Sequence, residues 1–213
     1  MKNLLYKEFK LTISSGFFLL ALLGALVLIP SWLYFFALMY AMFISIPQIF
    51  TAAKAQNDIG FSVMLPVRKR DVVKARVVSI LLIETLHILV AAVFAAANIL
   101  IYKGSNFFMD ANVAFFGLAF VMFAIFNLVF FPAFYKNGYK VGVPTIIATA
   151  AAFVFMVAVE GLVMFVPTIG KYLDNTKEMQ LQLPVLFIGI ALFVLSAVAA
   201  YRISAKWFEK VDL

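Results

Sequence analysis

The sequence predicts an all-α, polytopic membrane protein with six transmembrane helices and only short segments outside the membrane. Hydrophobic residues make up 66% of the 213 positions and charged residues 13%, whereas soluble domains are about half apolar and about a quarter charged. Long stretches between charged residues match the roughly 20 residues of one helical crossing. The basic residues fall almost entirely on one side of the resulting topology, as the positive-inside rule requires.

Residues 1–15 are predicted to form an amphipathic helix on the inner membrane surface. The apolar residues of one face recur at four-residue spacing: Met1, Leu5, Phe9 and Ile13. The polar residues gather on the opposite arc: Asn3, Lys7, Lys10 and Ser14. This separation is typical of helices that lie in the interface.

The first two spans share one uncharged stretch. No charged residue occurs between Lys10 and Lys54, a length that suffices for two crossings. Pro30 stands near its middle beside Trp32, and a hairpin is expected there, because Pro cannot continue a helix and Trp favours the membrane interface. The stretch therefore divides into spans at about 16–30 and 32–53.

Four further spans lie between the remaining charged segments, at about 77–102, 111–134, 142–168 and 184–203. Pro184 suits the first turn of the last one. With six crossings, both termini and the segments after spans two and four share one side. All but three of the 17 Lys and Arg residues lie there, the exceptions being Lys103, Lys171 and Lys177. Both termini are therefore predicted to be cytoplasmic.

The segments outside the membrane are too short for an enzyme domain, since the longest polar one covers only residues 54–76. The chain has no cysteine, a single histidine, and neither a G-x-x-x-x-G-K-[ST] nor a G-x-S-x-G motif. We therefore predict no catalytic residue, no metal site and no cofactor in this chain. The basic charge follows the topology, so a nucleic-acid partner is not expected.

Three ionisable residues lie inside predicted spans: Glu84, His87 and Glu160. Glu84 and His87 are three residues apart and share a helical face, and a buried carboxylate must face protein, water or a cation. They are candidates for a transport path, as a proton relay or substrate contacts. The alternative is a structural role, in which the pair satisfies itself or contacts other spans. Glu160, beside Gly161 in the outer half of span five, equally suits packing at a bend.

The cytoplasmic loop 54–76 contains more apolar residues than a solvated loop needs. Residues 57–65 predict a short amphipathic helix with Phe61, Met64 and Leu65 on one side. The segment that follows resembles the loop after span two in permease subunits of type 2 ATP-binding-cassette exporters. The positions that match in kind are Leu65, Pro66, Val67, Lys69, Asp71, Val72, Val73, Ala75 and Arg76. Arg68 departs, because the family usually has a capping Ser or Thr there.

The resemblance implies a division of labour between subunits. Two permease copies, identical or related, would form the transmembrane part, and separate ATPase subunits carrying ATP and Mg would dock beneath it. The coupling residues would be Asn57, Asp58, Ile59, Gly60, Phe61, Met64, Leu65 and Pro66. The basic residues after them would anchor the loop at the inner surface: Arg68, Lys69, Arg70, Lys74 and Arg76.

The resemblance also implies a location and a substrate class. The chain is expected in a bacterial cell membrane, in contact with lipid, exporting a hydrophobic or amphipathic substrate, as the exporters of antimicrobial peptides and phenol-soluble modulins do. Two other functions stay open from the residues alone. One is a proton-coupled secondary transporter using Glu84, His87 and Glu160, and the other is a membrane scaffold without transport.

Overall fold

The computed structural model describes residues 2–13, 15–64, 66–102, 106–137 and 140–210. The regular elements in these ranges are helical, which confirms the all-α prediction. Four helices within these ranges are long and apolar enough to cross a membrane. They are α6 (Lys69–Tyr102), α7 (Val113–Lys136), α8 (Gly142–Phe165) and α10 (Leu183–Glu209). The count of six crossings and the cytoplasmic termini stay predictions.

The chain begins with α1 (Lys2–Lys7), which continues through a π-helical turn at Glu8–Thr12. Ile13 then adopts an extended conformation, and the next helix starts at Ser15. Lys7 and Glu8 face the protein interior, although the amphipathic pattern had placed Lys7 on a solvated arc. Met1 and Ser14, which belong to the predicted surface helix, lie outside the described residues.

The first predicted span has an unusual helix type. Helix α2 (Ser15–Leu19) continues as a 3₁₀ helix over Leu20–Leu28. A 3₁₀ helix rises about 2 Å per residue, against about 1.5 Å in an α-helix, so this short segment extends roughly 25 Å, close to the thickness of the hydrocarbon core. Its buried residues are spaced three apart, on one straight line: Ala21, Gly24 and Val27. A Cβ added to Gly24 would lie 2.9 Å from the backbone nitrogen of Ala91 in α6, so this line packs directly on α6.

A turn at residues 29–33 reverses the chain, and within it Ser31 has a positive φ of 56°. Three helical segments then follow without a break: α3 (Tyr34–Tyr40), a π-helical turn (Ala41–Ser45) and α4 (Ile46–Ala55). Together they cover the second predicted span. The short helix α5 (Asp58–Met64) connects them to α6.

The later helices begin at residues that favour a helix start, namely a capping side chain or a proline in the first turn. Asn112 caps α7, because its side-chain oxygen accepts a hydrogen bond from the Phe115 N–H over 3.0 Å. Helix α8 ends at Phe165, and α9 (Pro167–Leu173) begins with Pro167 in its first turn. A short 3₁₀ turn at Met179–Gln182 leads into α10, which has Pro184 in its first turn.

Helices α7 and α10 form the most extensive contact in the described structure. Their backbones approach at Gly117 and Gly189: a Cβ added to Gly189 would lie 2.1 Å from the carbonyl oxygen of Gly117. On the other side of α7, Phe50 of α4 packs against Phe130 and Phe134, with ring centroids 4.9 and 4.6 Å apart. Small residues therefore bring α10 close to α7, and large aromatic residues fill the space toward α4.

Contacts at or near the first and last turns of the helices define two opposite ends of the bundle. At one end, which we call the basic end, Lys7 contacts Asp58, and Lys136 lies over the ring of Trp207. At the opposite end, Asn98 donates to the backbone oxygen of Val27 over 2.8 Å, and Met109 donates its N–H to Glu160 over 3.2 Å. Successive segments thus run alternately up and down the bundle.

Candidate coupling site and polar residues of the bundle

Helix α5 stands at the basic end, between α4 and α6, where the loop resemblance placed a coupling helix. Asn57, just before it, has a positive φ of 49°, which turns the chain sharply out of α4. Gly60 lies one turn on, and a Cβ there would come within 2.8 Å of the Asn57 side chain. Asn57 and Gly60 together therefore set the angle at which α5 leaves α4. Leu65 and the side chain of Ile59 lie outside what the structure describes.

The two faces of α5 differ sharply in character. Asp58 and Ser62, one turn apart, are buried and face the bundle. Phe61 and Met64 lie on the other side, with 55% and 84% of their surface exposed. Pro66, two residues after the end of the helix, is exposed as well. An exposed apolar surface on a polar loop is a common mark of a protein contact.

The buried face of α5 enters an ionic cluster, which consists of Lys7, Glu8, Asp58, Ser62 and Arg76. Arg76 contacts Asp58 over 2.6 Å and Glu8 over 2.5 Å. Lys7 contacts Asp58 over 2.6 Å and the Ser62 hydroxyl over 2.7 Å. The charged side chains are at most 10% exposed, and two cations balance two carboxylates. The cluster joins α1, α5 and the first turns of α6.

The basic residues after α5 divide into two groups. Arg68, Arg70 and Lys74 are exposed at the basic end, and Lys69 lies over the ring of Phe208. Arg70 also binds the Glu209 carboxylate through two nitrogens, one contact being 2.9 Å. Arg76 is different, because it is 5% exposed and lies inside the ionic cluster rather than at the inner surface.

Glu84 and His87 lie in the interior of the bundle and do not bond to each other. Glu84 accepts a hydrogen bond from the amide of Asn127 in α7 over 2.7 Å. His87 pairs through Nδ1 with the backbone oxygen of Ile83 over 2.7 Å. All three side chains are at most 2% exposed, and one atom of each has no hydrogen-bond partner among the described residues: Glu84 Oε1, His87 Nε2 and Asn127 Oδ1. Asn127 was not predicted, although it is the single polar side chain between Asn112 and Lys136 in the sequence apart from Tyr135.

Glu160 belongs to a separate group at the opposite end. Its Oε2 accepts the Met109 N–H, and its Oε1 is buried with no hydrogen-bond partner in the part of the chain that the structure describes. The neighbouring Asp110 donates its N–H to Asp174 over 2.7 Å. Burial, reinforced by the charge of Asp174, raises the pKa of Asp110 to about 6, and burial also raises the pKa of Asp174. The three predicted path residues are therefore divided between two places.

The described residues include no group of three His, Asp or Glu side chains placed to hold a metal ion. The contacts instead form two polar layers, the ionic cluster at the basic end and the carboxylate group at the opposite end, with the Glu84–Asn127 contact between them.

A family model described as ABC-2 family transporter protein matches residues 3–209, nearly the whole chain. No curated protein matches the chain, and no solved structure does. The match covers α1, α5 and all four long helices. It supports the permease resemblance that residues 65–76 suggested, while it carries no information on the substrate.

Proposed function

Because the chain belongs to the ABC-2 family of transporter proteins, and is thus a multi-pass membrane permease of the ATP-binding-cassette type, we propose that it docks a separate ATPase through α5. The permease itself is a transport component, and ATP and Mg bind the partner. ATP-driven movement of that partner shifts the permease between inward and outward access.

The observation that carries this proposal is the two-faced character of α5. Phe61 and Met64 present an apolar surface at the basic end, where aromatic and Met side chains can act as anchors in a partner's cleft. Asp58 and Ser62 hold the opposite face in the ionic cluster. Helix α5 is therefore available to a partner on one side and fixed to the bundle on the other.

The ionic cluster provides a path for the movement. Removing one partner of a buried ion pair costs about 3–5 kcal/mol, so α5 cannot shift without taking its partners along or breaking these contacts. Arg76 is one of them and sits near the start of the 34-residue helix α6. A displacement of α5 thus reaches α6 directly, and α6 extends to Asn98 at the opposite end.

Several finer points belong to the same proposal. The chain crosses a bacterial cell membrane six times with cytoplasmic termini, and two permease copies, identical or related, form the path. The substrate is a hydrophobic or amphipathic peptide. The up-and-down order of the six segments and the concentration of Lys and Arg at the basic end support the topology. The peptide substrate rests on the resemblance of the loop around Pro66.

The docking role is tested by changing the exposed face of α5. The variant F61D/M64D is expected to lose association with a co-expressed ATPase subunit of the ATP-binding-cassette type, measured by co-purification in detergent, while its own thermal unfolding is unchanged. Tyr6→Asp is the matched control, because Tyr6 is 63% exposed at the basic end but belongs to α1. Full association of F61D/M64D, or equal loss in the control, would remove α5 from the role assigned to it.

A second candidate is a secondary transporter driven by protons. Glu84 Oε1 and His87 Nε2 are buried and have no hydrogen-bond partner within the described ranges, which favours this candidate, because a proton carrier needs such sites within the membrane. Transport by the purified permease in vesicles with a proton gradient and no nucleotide would establish this function. Transport that requires the ATPase and nucleotide, and that persists in Glu84→Gln, would rule it out.

A further inference from the structure

A groove between α6 and α10 runs from the basic end toward the middle of the bundle. Its volume is about 180 Å³. Apart from Lys74 and Tyr201, the lining is apolar and comes from both helices: Val77, Val78 and Leu81 of α6, and Phe193, Ala197 and Val198 of α10. These residues follow helical spacing, so each helix contributes one continuous stripe.

At the basic end the groove meets a second cavity of about 370 Å³, lined by Arg70, Tyr201, Arg202 and Lys206, with Ala205. Tyr201 lines both cavities, which are therefore adjacent. Arg70 is paired with Glu209. Arg202 and Lys206 are exposed and form no ion pair within the part of the chain that the structure describes. The cavity therefore keeps an excess of positive charge.

The lengths of the two cavities fit one leaflet of a bilayer. Tyr201 and Phe193 are eight residues apart on α10, which is about 12 Å along the helix axis. One leaflet of the hydrocarbon core is about 15 Å thick. With Tyr201 at the membrane interface, which tyrosine favours, the cationic cavity lies at headgroup level and the apolar groove lies among the acyl chains.

We propose that these two cavities form a binding site for an anionic glycerophospholipid, whose phosphate lies beside Arg202 and Lys206 and whose acyl chain occupies the groove. Basic cavities at the cytoplasmic end of membrane helices suit anionic headgroups, and Arg and Lys both bind phosphate oxygens. An acidic segment of a docked ATPase could use the cations but would leave the apolar groove without an occupant. The site depends on the membrane location of the chain and is independent of the role of α5.

Native mass spectrometry of the full-length protein, with phosphatidylglycerol or phosphatidylcholine of identical acyl chains, tests the headgroup part. We expect phosphatidylglycerol to bind more tightly, and R202Q/K206Q to weaken its binding about thirtyfold, since each of the two interfacial cations contributes about 1 kcal/mol. The control K54Q/K140Q removes the same charge from exposed residues that do not line either cavity. Equal binding of both lipids, or equal weakening in the control, overturns the proposal.

The acyl-chain part is tested by filling the groove. Val198→Phe adds a ring at a half-exposed position of the lining, and Val154→Phe adds the same ring on α8, away from it. We expect a several-fold loss of phosphatidylglycerol binding only in Val198→Phe.

If Val198→Phe binds normally and soluble glycerophosphoglycerol competes fully, the site binds an anion and not a lipid. If R202Q/K206Q keeps the lipid but loses the ATPase, the cations belong to the partner contact. Either result overturns the proposal.

Discussion

The guanidinium of Arg76 in α6 donates to the carboxylate of Asp58 in α5 over 2.6 Å, inside the protein and 18 residues apart in sequence. Only 7% of the Asp58 side chain is exposed, although Asp58 belongs to the loop between α4 and α6. The loop after α4 is thus part of the folded bundle on one side, which a solvated linker would not be. Asp58 also holds Lys7, so one carboxylate joins three segments.

Asp58→Ala is therefore expected to destabilise the protein by about 3 kcal/mol, because Lys7 and Arg76 would share the single carboxylate of Glu8 in a buried place. The measurement is thermal or denaturant unfolding in detergent. Glu178→Ala, which removes an exposed carboxylate at the opposite end, should change stability by less than about 0.5 kcal/mol. Similar stabilities of the two variants would contradict the ionic cluster.

Gly189→Ala is expected to be strongly destabilising, by about 3 kcal/mol, because the new methyl group would meet the Gly117 carbonyl oxygen at 2.1 Å and force α7 and α10 apart. Gly161→Ala offers a control in another long helix, since, apart from its chain neighbours and its own helix backbone, no atom of the described residues lies within 4 Å of a Cβ placed there. That variant should gain roughly 0.5–1 kcal/mol from helix propensity. Both are read from unfolding curves, and a stable Gly189→Ala protein would mean that the two helices do not cross at this point.

Asn127→Ala should cost about 1–3 kcal/mol, because it leaves both carboxylate oxygens of Glu84 buried without a donor. Replacing both residues together, as in E84M/N127L, should restore most of that stability, since no polar group then stays unpaired. Transport by the stable double variant separates the two roles of Glu84. Normal export assigns the pair to packing, and lost export in a stable protein assigns it to the transport path.

The carboxylates at the opposite end predict a dependence of stability on pH. The folded-state pKa of Asp110 is raised from 3.8 to about 6, so the folded state binds the proton more tightly than the unfolded chain does. The resulting stabilisation is present below about pH 4 and is lost as the pH rises through about 6. Asp110→Asn should raise the melting temperature at pH 7 and flatten its dependence on pH between 4 and 6, in melts run in detergent.

The sequence predicted the helical class and the positions of several turns and helix starts, because these depend on local chemistry. Pro30 marks the turn before α3, and α10 begins one residue before Pro184. A helix stands at Asp58–Met64, where residues 57–65 predicted one. Each of these features follows from backbone restrictions or side-chain spacing within one or two turns, which a single sequence shows directly.

The contacts between helices could not be predicted in the same way. Helical spacing assigned Lys7 to a polar arc, but its partner Asp58 is 51 residues away in sequence. Gly117 and Gly189 stand in helices that are apolar all round, so hydrophobicity does not reveal which faces meet. Asn127 could have been found, since a lone polar residue in an apolar run needs a partner inside the membrane.

In the 3₁₀ segment Leu20–Leu28, a change of helix type would change the length of the segment and rotate its side chains at the same time. Conversion of its nine residues to α-helix would shorten it by about 4–5 Å, because the rise falls from about 2 to about 1.5 Å per residue. The angle per residue would fall from about 120° to about 100°, so Val27 would turn about 120° away from the line that it shares with Ala21. If α6 slides along this segment and converts it from 3₁₀ to α-helix, the residues that contact α6 must therefore also rotate about the helix axis.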